Sequence, residues 1–300
     1  MDVGEGLVLC RDVSYHYCCY QDNDIKVKID TGFSGVHFII LEEVKAIEIS
    51  DFSFVYPDGT QALDGINLEL PLGESLGIVG ANGAGKSTLL LSLTGFIQGC
   101  GSIKVLGIPV IPRNFKRIRA QLGYVFQDPD DQLFCPRVFD DVAFGPMNQG
   151  LSIDAVRERV TRALESVGMQ GYENRLSHHL SHGEKKRIAL AAVLATEPAM
   201  LALDEPFSGL DLRGKRGLYR VLKDLSLSKV IVSHDLGLIA GLCDRVAVFE
   251  RGRVVAYERT QDIISDRGLL ESCGVEAPYS MQGYDVDPLG VAGGRGVAHI

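Results

Sequence analysis

The run GANGAGKST, residues 80–88, restricts this chain more than any other stretch. Glycine, four residues, glycine, lysine and serine is the phosphate-loop pattern. The apolar run SLGIVG leads into it and STLLLSLTGFI leaves it, so a buried strand, a tight loop and a helix are predicted in that order. Gly80, Asn82, Gly83, Ala84, Gly85, Lys86, Ser87 and Thr88 are the expected phosphate contacts. Their glycines allow backbone angles that present successive N–H groups, and the helix dipole adds positive potential. Lys86 would reach the terminal phosphates of a nucleoside triphosphate, and the Ser87 hydroxyl would hold Mg²⁺.

A second chemical signal follows at Asp204 and Glu205, where the apolar run MLAL stops at two acids. Beside a phosphate loop, such a strand end places one carboxylate on Mg²⁺ and one on the attacking water. Asp204 is assigned the first role and Glu205, as general base, the second. Paired acids can also merely cap the next segment.

Bulk properties narrow the setting. A net charge of −9 argues against nucleic acid as the main partner. Seven scattered cysteines without a CxxC pair suggest reduced thiols rather than a disulfide framework or zinc site. The first residues carry Asp2 and Glu5 instead of a basic leader, and the most apolar run, IALAAVLA, is far shorter than the roughly 20 residues that span a bilayer. Any membrane role is therefore expected to come through a partner.

Three sections are expected: an extension over 1–43, an ATP-binding domain over 44–277 and a loose Gly-rich tail over 278–300. Pieces such as IKVKID make the extension either a small strand-rich appendage or a poorly ordered arm. KAIEISDFSFVY and LDGINLELPLGE alternate as half-buried antiparallel strands do. SIDAVRERVTRALESV predicts an amphipathic helix capped by Ser152, its stripe formed by Ile153, Val156, Val160, Leu164 and Val167. AMLALDEP and KVIVSHD read as buried parallel strands, and DRVAVFERGRVVAYE as a hairpin about Arg-Gly.

The stretch LSHGEKKR, residues 180–187, is by itself a capping box, Ser181-x-x-Glu184, at a helix start. Such a start is also an anion site. It resembles the LSGGQ signature of ABC-transporter ATPases. Further elements stand in that family's order: Tyr56 resembles the aromatic that stacks on adenine, Gln127 in VFQDP the Q-loop glutamine, SGLD with Asp211 the D-loop, and His234 in VSHD the switch histidine. The resemblance spans about residues 44–275. It implies an α/β fold, a P-loop NTPase of ABC type with a mixed central sheet, an antiparallel β-subdomain and a helical signature subdomain.

It further implies an ATPase with Mg²⁺ as cofactor, bound by Ser87, Gln127 and Asp204. Two such subunits, identical or paralogous, would each set a phosphate loop against the other's Ser181 and Gly183, with Glu205 and His234 catalytic. One departure stands out. His182 replaces the signature's first glycine and Glu184 its glutamine, so a retuned site is expected, with the imidazole near the phosphate.

VFQDPDDQLFCPRVFDDVAFGPMNQGL, residues 125–151, is similar to the ATPase subunits of energy-coupling-factor (ECF) transporters, particularly cobalt/nickel importers. There the region meets the coupling helices of integral membrane subunits, which places the chain on the cytoplasmic face of the cell membrane. Asp128, Asp130, Asp131, Asp140 and Asp141 would form an acidic face, with phenylalanines 126, 134, 139 and 144 shared between interface and core. A vitamin ECF module or another ABC importer is the alternative. A DNA-repair or chromosome ABC ATPase would need long coiled coils between Gln127 and Ser181, and no sustained heptads occur there. His178, His179 and His182 would share a metal-binding face only if helical, and the helix start at Ser181 cuts across them.

Overall fold

The computed structural model describes the backbone of residues 8–12, 15–19, 25–31 and 37–43, and residues 45–275 in full. Strands β1 (Val8–Asp12), β2 (Tyr15–Cys19), β3 (Ile25–Thr31) and β4 (His37–Glu43) pair in sequence order as an antiparallel meander. The expected tail after 277 lies outside the described residues.

From β5 (Lys45–Val55) and β6 (Gln61–Pro71) the chain enters β7 (Ser75–Gly80) and, through the glycine loop, α1 (Lys86–Leu93). Helix α1 closes before Thr94 and Gly95, short of the expected Ile97. Strands β8 (Cys100–Val105) and β9 (Ile108–Pro109) return to β5, giving an antiparallel sheet ordered β6-β5-β8-β9. Then follow α2 (Phe115–Gln121), β10 (Leu122–Val125), α3 (Val138–Asn148), α4 (Ile153–Ser166) and α5 (His182–Leu194). The chain continues through β11 (Met200–Asp204), α6 (Leu212–Asp224), β12 (Ser228–Val232), α7 (Leu236–Leu242), β13 (Arg245–Glu250) and β14 (Arg253–Arg259). Two short helices, α8 (Thr260–Ser265) and α9 (Arg267–Ser272), follow.

The central sheet runs β10-β11-β12-β7-β13-β14, parallel except for the last pair. Because successive strand side chains point to opposite faces, its buried strands feed two cores. Met200, Ala202, Val230, Val232, Ala247 and Phe249 pack with the antiparallel sheet and Leu89, Leu90 and Leu93 of α1. Leu201, Leu203, Ile231, Val246 and Val248 face the opposite core, with α3 to α7. That is why MLALD and SKVIV read as unbroken apolar runs and not as alternation.

Ser152 caps α4, its hydroxyl accepting from the Ala155 N–H, and Val156, Val160, Leu164 and Val167 are buried. Ile153 corrects the predicted stripe: it stands exposed in the first helical turn. The Arg251-Gly252 hairpin has φ of 46° and 79°, the left-handed pair of a type I′ turn.

Candidate functional site: a nucleotide cleft and a capped signature helix

The carboxyl ends of β7, β11 and β12 converge on a cleft of about 860 Å³. This is where ligands bind in open α/β sheets. Gly80, Asn82, Gly83, Gly85, Lys86, Ser87 and Thr88 line it, with Tyr56, Gln127, Glu205 and His234. Ala84, grouped with them in the sequence reading, is buried beneath the loop among core side chains. The turn depends on glycine at its two ends. Gly80 has φ 147° and Gly85 φ 99°, and a Cβ would collide with the Phe249 carbonyl oxygen at the first and the Ala62 carbonyl oxygen at the second.

Lys86 crosses the loop, its ammonium donating to the carbonyl oxygens of Gly80 and Ala81 at 2.8 Å each. Burial holds its pKa below the usual lysine range, against the pull of Glu205 and Asp204. The Ser87 hydroxyl donates to Asp204 Oδ1 (3.0 Å), and the Tyr124 hydroxyl donates to Oδ2 (3.3 Å). Burial raises the Asp204 carboxyl above its ordinary value, and these two hydrogen bonds oppose the shift. A hydroxyl in the first turn of α1 and a carboxylate at the end of β11 are hard oxygen donors of the kind Mg²⁺ takes. Gln127 lines the same cleft.

Glu205 is the most constrained residue of the site. Its φ is 43°, left-handed backbone that costs a non-glycine residue on the order of 1 kcal/mol or more. Its N–H donates to the Val232 carbonyl oxygen (3.0 Å). Its carboxylate, 12% exposed, has Oε1 and Oε2 3.1 and 3.0 Å from His234 Nδ1. The structure therefore places His234 on Glu205, the contact by which one side chain orients another at a reacting group.

Farther along the cleft, the Tyr56 hydroxyl pairs with Thr88 Oγ1 (3.1 Å), and its ring meets Phe54 edge-on at 4.9 Å. Thr60, Gln61 and Ala62 of the following turn and of β6 line the cleft beside it, as do Gly274 and Val275 after α9. None of these five carries a motif, and each reaches the cleft only through tertiary packing.

Ser181, Gly183 and Asp211 do not line this cleft. At the start of α5 the capping box is closed in both directions. The Ser181 N–H and hydroxyl both donate to Glu184 Oε2 (2.8 Å), and the Glu184 N–H donates to Ser181 Oγ (3.3 Å). Glu184 Oε1 accepts from the Tyr172 hydroxyl (2.8 Å), whose ring carries the Arg175 guanidinium at 4.0 Å. These hydrogen bonds hold the Glu184 carboxyl below the usual range, that of the Ser181 backbone first. His182 stands beside the D-loop stretch. Its ring lies against Gly209 of the same chain, where an added methyl would stand 3.0 Å from Nε2. Asp211 caps α6, Oδ1 accepting from the Gly214 N–H at 2.7 Å.

Residues 63–208 match the family profile described as ABC transporter. An ABC transporter ATP-binding protein of Geobacter sulfurreducens is 48% identical over 241 residues, covering 80% of this chain and 97% of that protein. The chain belongs to the ABC transporter ATPases. Energy-coupling factor transporter ATP-binding protein EcfA of Methanothermobacter thermautotrophicus is 44% identical over 255 residues, covering 80% of this chain and 82% of EcfA. Among solved structures, cbiO1 of Clostridium perfringens, part of the ABC transporter complex cbiONQ, superposes with a TM-score of 0.69 at 35% identity, covering 79% and 97% of the two chains. This ABC ATPase thus has the α/β P-loop fold expected of it, and its chemistry is ATP hydrolysis for a transporter. Among the described residues no helix is long and apolar enough to cross a membrane.

Two further residues at the site, outside the cleft lining, also carried no sequence motif. Tyr124 is a hydroxyl inside an apolar strand, in register with Ala202 of β11 and so near Asp204. Lys186 falls on the buried stripe of α5 with Ala189 and Leu190; it is 4% exposed, and its ammonium donates to the Glu205 carbonyl oxygen at 3.0 Å. Burial lowers its pKa to about 8. A lysine in phase with apolar residues was the available signal.

The region after Gln127 also sorts itself. Phe134 and Phe144 are exposed and meet edge-on at 4.9 Å, whereas Phe126 and Phe139 are half-buried. Asp141 does not belong to an acidic face: it is buried, accepting from the Phe134 and Cys135 N–H groups and the Ser177 hydroxyl. Asp130 pairs with Lys185 of α5 at 2.6 Å. His178 and His179 stack edge-on at 4.2 Å in a short 3₁₀ turn, and no cluster of three or more metal-ligating side chains occurs among the described residues. Cys100, Cys135, Cys243 and Cys273 are free thiols.

Proposed function

We propose that this chain is the ATP-hydrolysing subunit of an ECF-type importer, held by integral membrane subunits at the cytoplasmic face of the membrane, with cobalt or nickel as cargo. The observation that carries the ECF reading is its 44% identity to EcfA over most of that protein's length. The cobalt/nickel choice rests on the resemblance of residues 125–151, and the likeness to cbiO1, part of the ABC transporter complex cbiONQ, supports a transporter subunit.

In the proposed reaction, Lys86 and the N–H groups of the phosphate loop bind the triphosphate, and Tyr56 packs on the base. Ser87, Asp204 and Gln127 would hold Mg²⁺, which neutralises phosphate charge when bound. Glu205 accepts the proton of the attacking water, with His234 orienting its carboxylate. The α5 start of a second subunit, through Ser181 and Gly183, completes the phosphate cradle. Losing one such preorganised donor raises a barrier by roughly 3–4 kcal/mol, so the isolated monomer is slow.

The exposed Phe134–Phe144 pair is the proposed contact for the membrane subunits. Gln132, on the same segment, accepts from the Phe126 N–H and donates to the Ala189 carbonyl oxygen of α5 at 2.7 Å, so the segment is fastened to the signature helix. The test is co-expression with the membrane subunits encoded beside this gene, followed by ATP-dependent uptake of radioactive cobalt or nickel. Phe134→Ala/Phe144→Ala should abolish uptake and co-purification while sparing ATP binding. Uptake of a vitamin instead of the metals would move the cargo to a vitamin module. DNA-stimulated ATPase without co-purifying membrane subunits would overturn the reading.

A further inference from the structure

Among the described residues the proposed reaction leaves two buried lysines unused: Lys229 bonds the carbonyl oxygens of Leu225 and Leu227, whereas Lys186 reaches the site. Lys186 lies in the second turn of α5 and lines a small, mostly apolar cavity with Val125, Phe126, Leu190, Leu203 and Leu218. A methionine of similar length would fill that space without the penalty of desolvating an ammonium. The ammonium is directed at one backbone oxygen, the carbonyl of Glu205.

That carbonyl belongs to the residue with left-handed backbone, φ 43°. The peptide groups on either side of Glu205 are thus gripped from opposite directions, the N–H by Val232 of β12 and the C=O by Lys186 of α5. We propose that Lys186 is a positioning residue that holds the strained turn at Glu205, aims its carboxylate at the attacking water, and ties that aim to the signature helix. The inference rests on Glu205 being the general base.

The tie has a mechanical consequence. Helix α5 is also fastened to the segment after Gln127 through Lys185–Asp130 and Gln132–Ala189. A displacement of α5, whether from a partner's nucleotide at its N-terminus or from the membrane side, therefore reaches the base through one side chain.

The experiment uses the full chain and compares Lys186→Met, Lys186→Arg, Glu205→Gln and the Lys186→Met/Glu205→Gln double variant. Steady-state ATPase kinetics, thermal melting, and amide hydrogen exchange of the 204–210 segment without nucleotide are measured. Lys186→Met should lower kcat roughly 10- to 100-fold, the scale of a misplaced reacting group, with KM little changed. Its Tm should stay within about 3 °C of the parent or rise, and exchange at Glu205 should quicken. Lys186→Arg should recover part of kcat, and the double variant should be no slower than Glu205→Gln alone. Wild-type kcat in Lys186→Met beside an inactive Glu205→Gln would overturn the positioning role and leave the base assignment standing. So would a kcat loss that tracks a collapse in Tm and is not recovered by arginine. Should Lys186→Met not fold, Lys186→Arg decides: slower exchange than any destabilised variant together with near-parent kcat supports the clamp, and loss of kcat with intact Tm and unchanged exchange refutes it. Full turnover in Glu205→Gln would instead sink the base reading and this inference with it.

Discussion

The phosphate loop and the start of α5 are both glycine-containing, helix-opening anion sites, yet they are finished to different degrees. The loop's groups converge on a cleft that this chain builds by itself: Lys86 spans the turn, Ser87 meets Asp204, and Glu205 meets His234. At α5 the donors turn inward, since both the backbone and the hydroxyl of Ser181 bond to Glu184 of the same chain. One site is ready for a ligand, whereas the other holds its own carboxylate in the place of one. In the proposed dimer, a phosphate arriving on a second subunit would take the Ser181 hydroxyl from Glu184.

This contrast can be broken at four points. Glu205→Gln should reduce turnover by roughly 10²- to 10⁴-fold while ATP still binds, as single-turnover assays beside equilibrium binding will show. Lys86→Ala should weaken ATP binding by ~3 kcal/mol, roughly 100-fold in Kd, and calorimetry giving an unchanged Kd would remove Lys86 from the triphosphate. Tyr56→Ala should cost roughly 1–3 kcal/mol of affinity for ATP but little for inorganic triphosphate, provided the ring stacks on the base.

The smallest effect belongs to the finished cap. Glu184→Ala should cost about 1 kcal/mol of stability, a Tm lower by roughly 2–4 °C, with the Kd of the cleft unchanged. The sign of its pH dependence follows from the depressed carboxyl. That stability is fully present above the unfolded glutamate pKa, about 4.3, and is lost as pH falls through the lower folded value. The Tm difference between Glu184→Ala and the parent should therefore shrink on acidification below about pH 4. A gap that widened there would contradict the cap.

Local signals carried much of the fold. The phosphate loop, the Ser152 and Ser181 caps, the Arg251-Gly252 hairpin and the apolar strands all write their structure within a few residues, through capping hydroxyls, left-handed turns and periodicity. What stayed hidden depends on distant packing. Asp141 looks like a surface acid until Ser177 and two backbone N–H groups are brought to it. The contact of the His182 ring with Gly209 likewise needs the fold to bring two distant stretches together. Ile153, in phase with a buried stripe, lies at a helix end that the core does not reach. The left-handed backbone at Glu205 leaves no pattern, and the lysine that meets its carbonyl oxygen shows only as a charge in phase with apolar residues.

In the proposed function each chain carries two unlike halves of an ATP site, completed only by a second subunit. The most direct measurement is the molar mass of Glu205→Gln by light scattering, without nucleotide and at saturating ATP–Mg²⁺. The prediction is a species near the chain mass of 32.6 kDa without ATP and one of about twice that mass with it. The ATP-driven increase should be lost on adding Ser181→Arg. A single-chain mass at saturating ATP, with ATP shown to be bound, would contradict it.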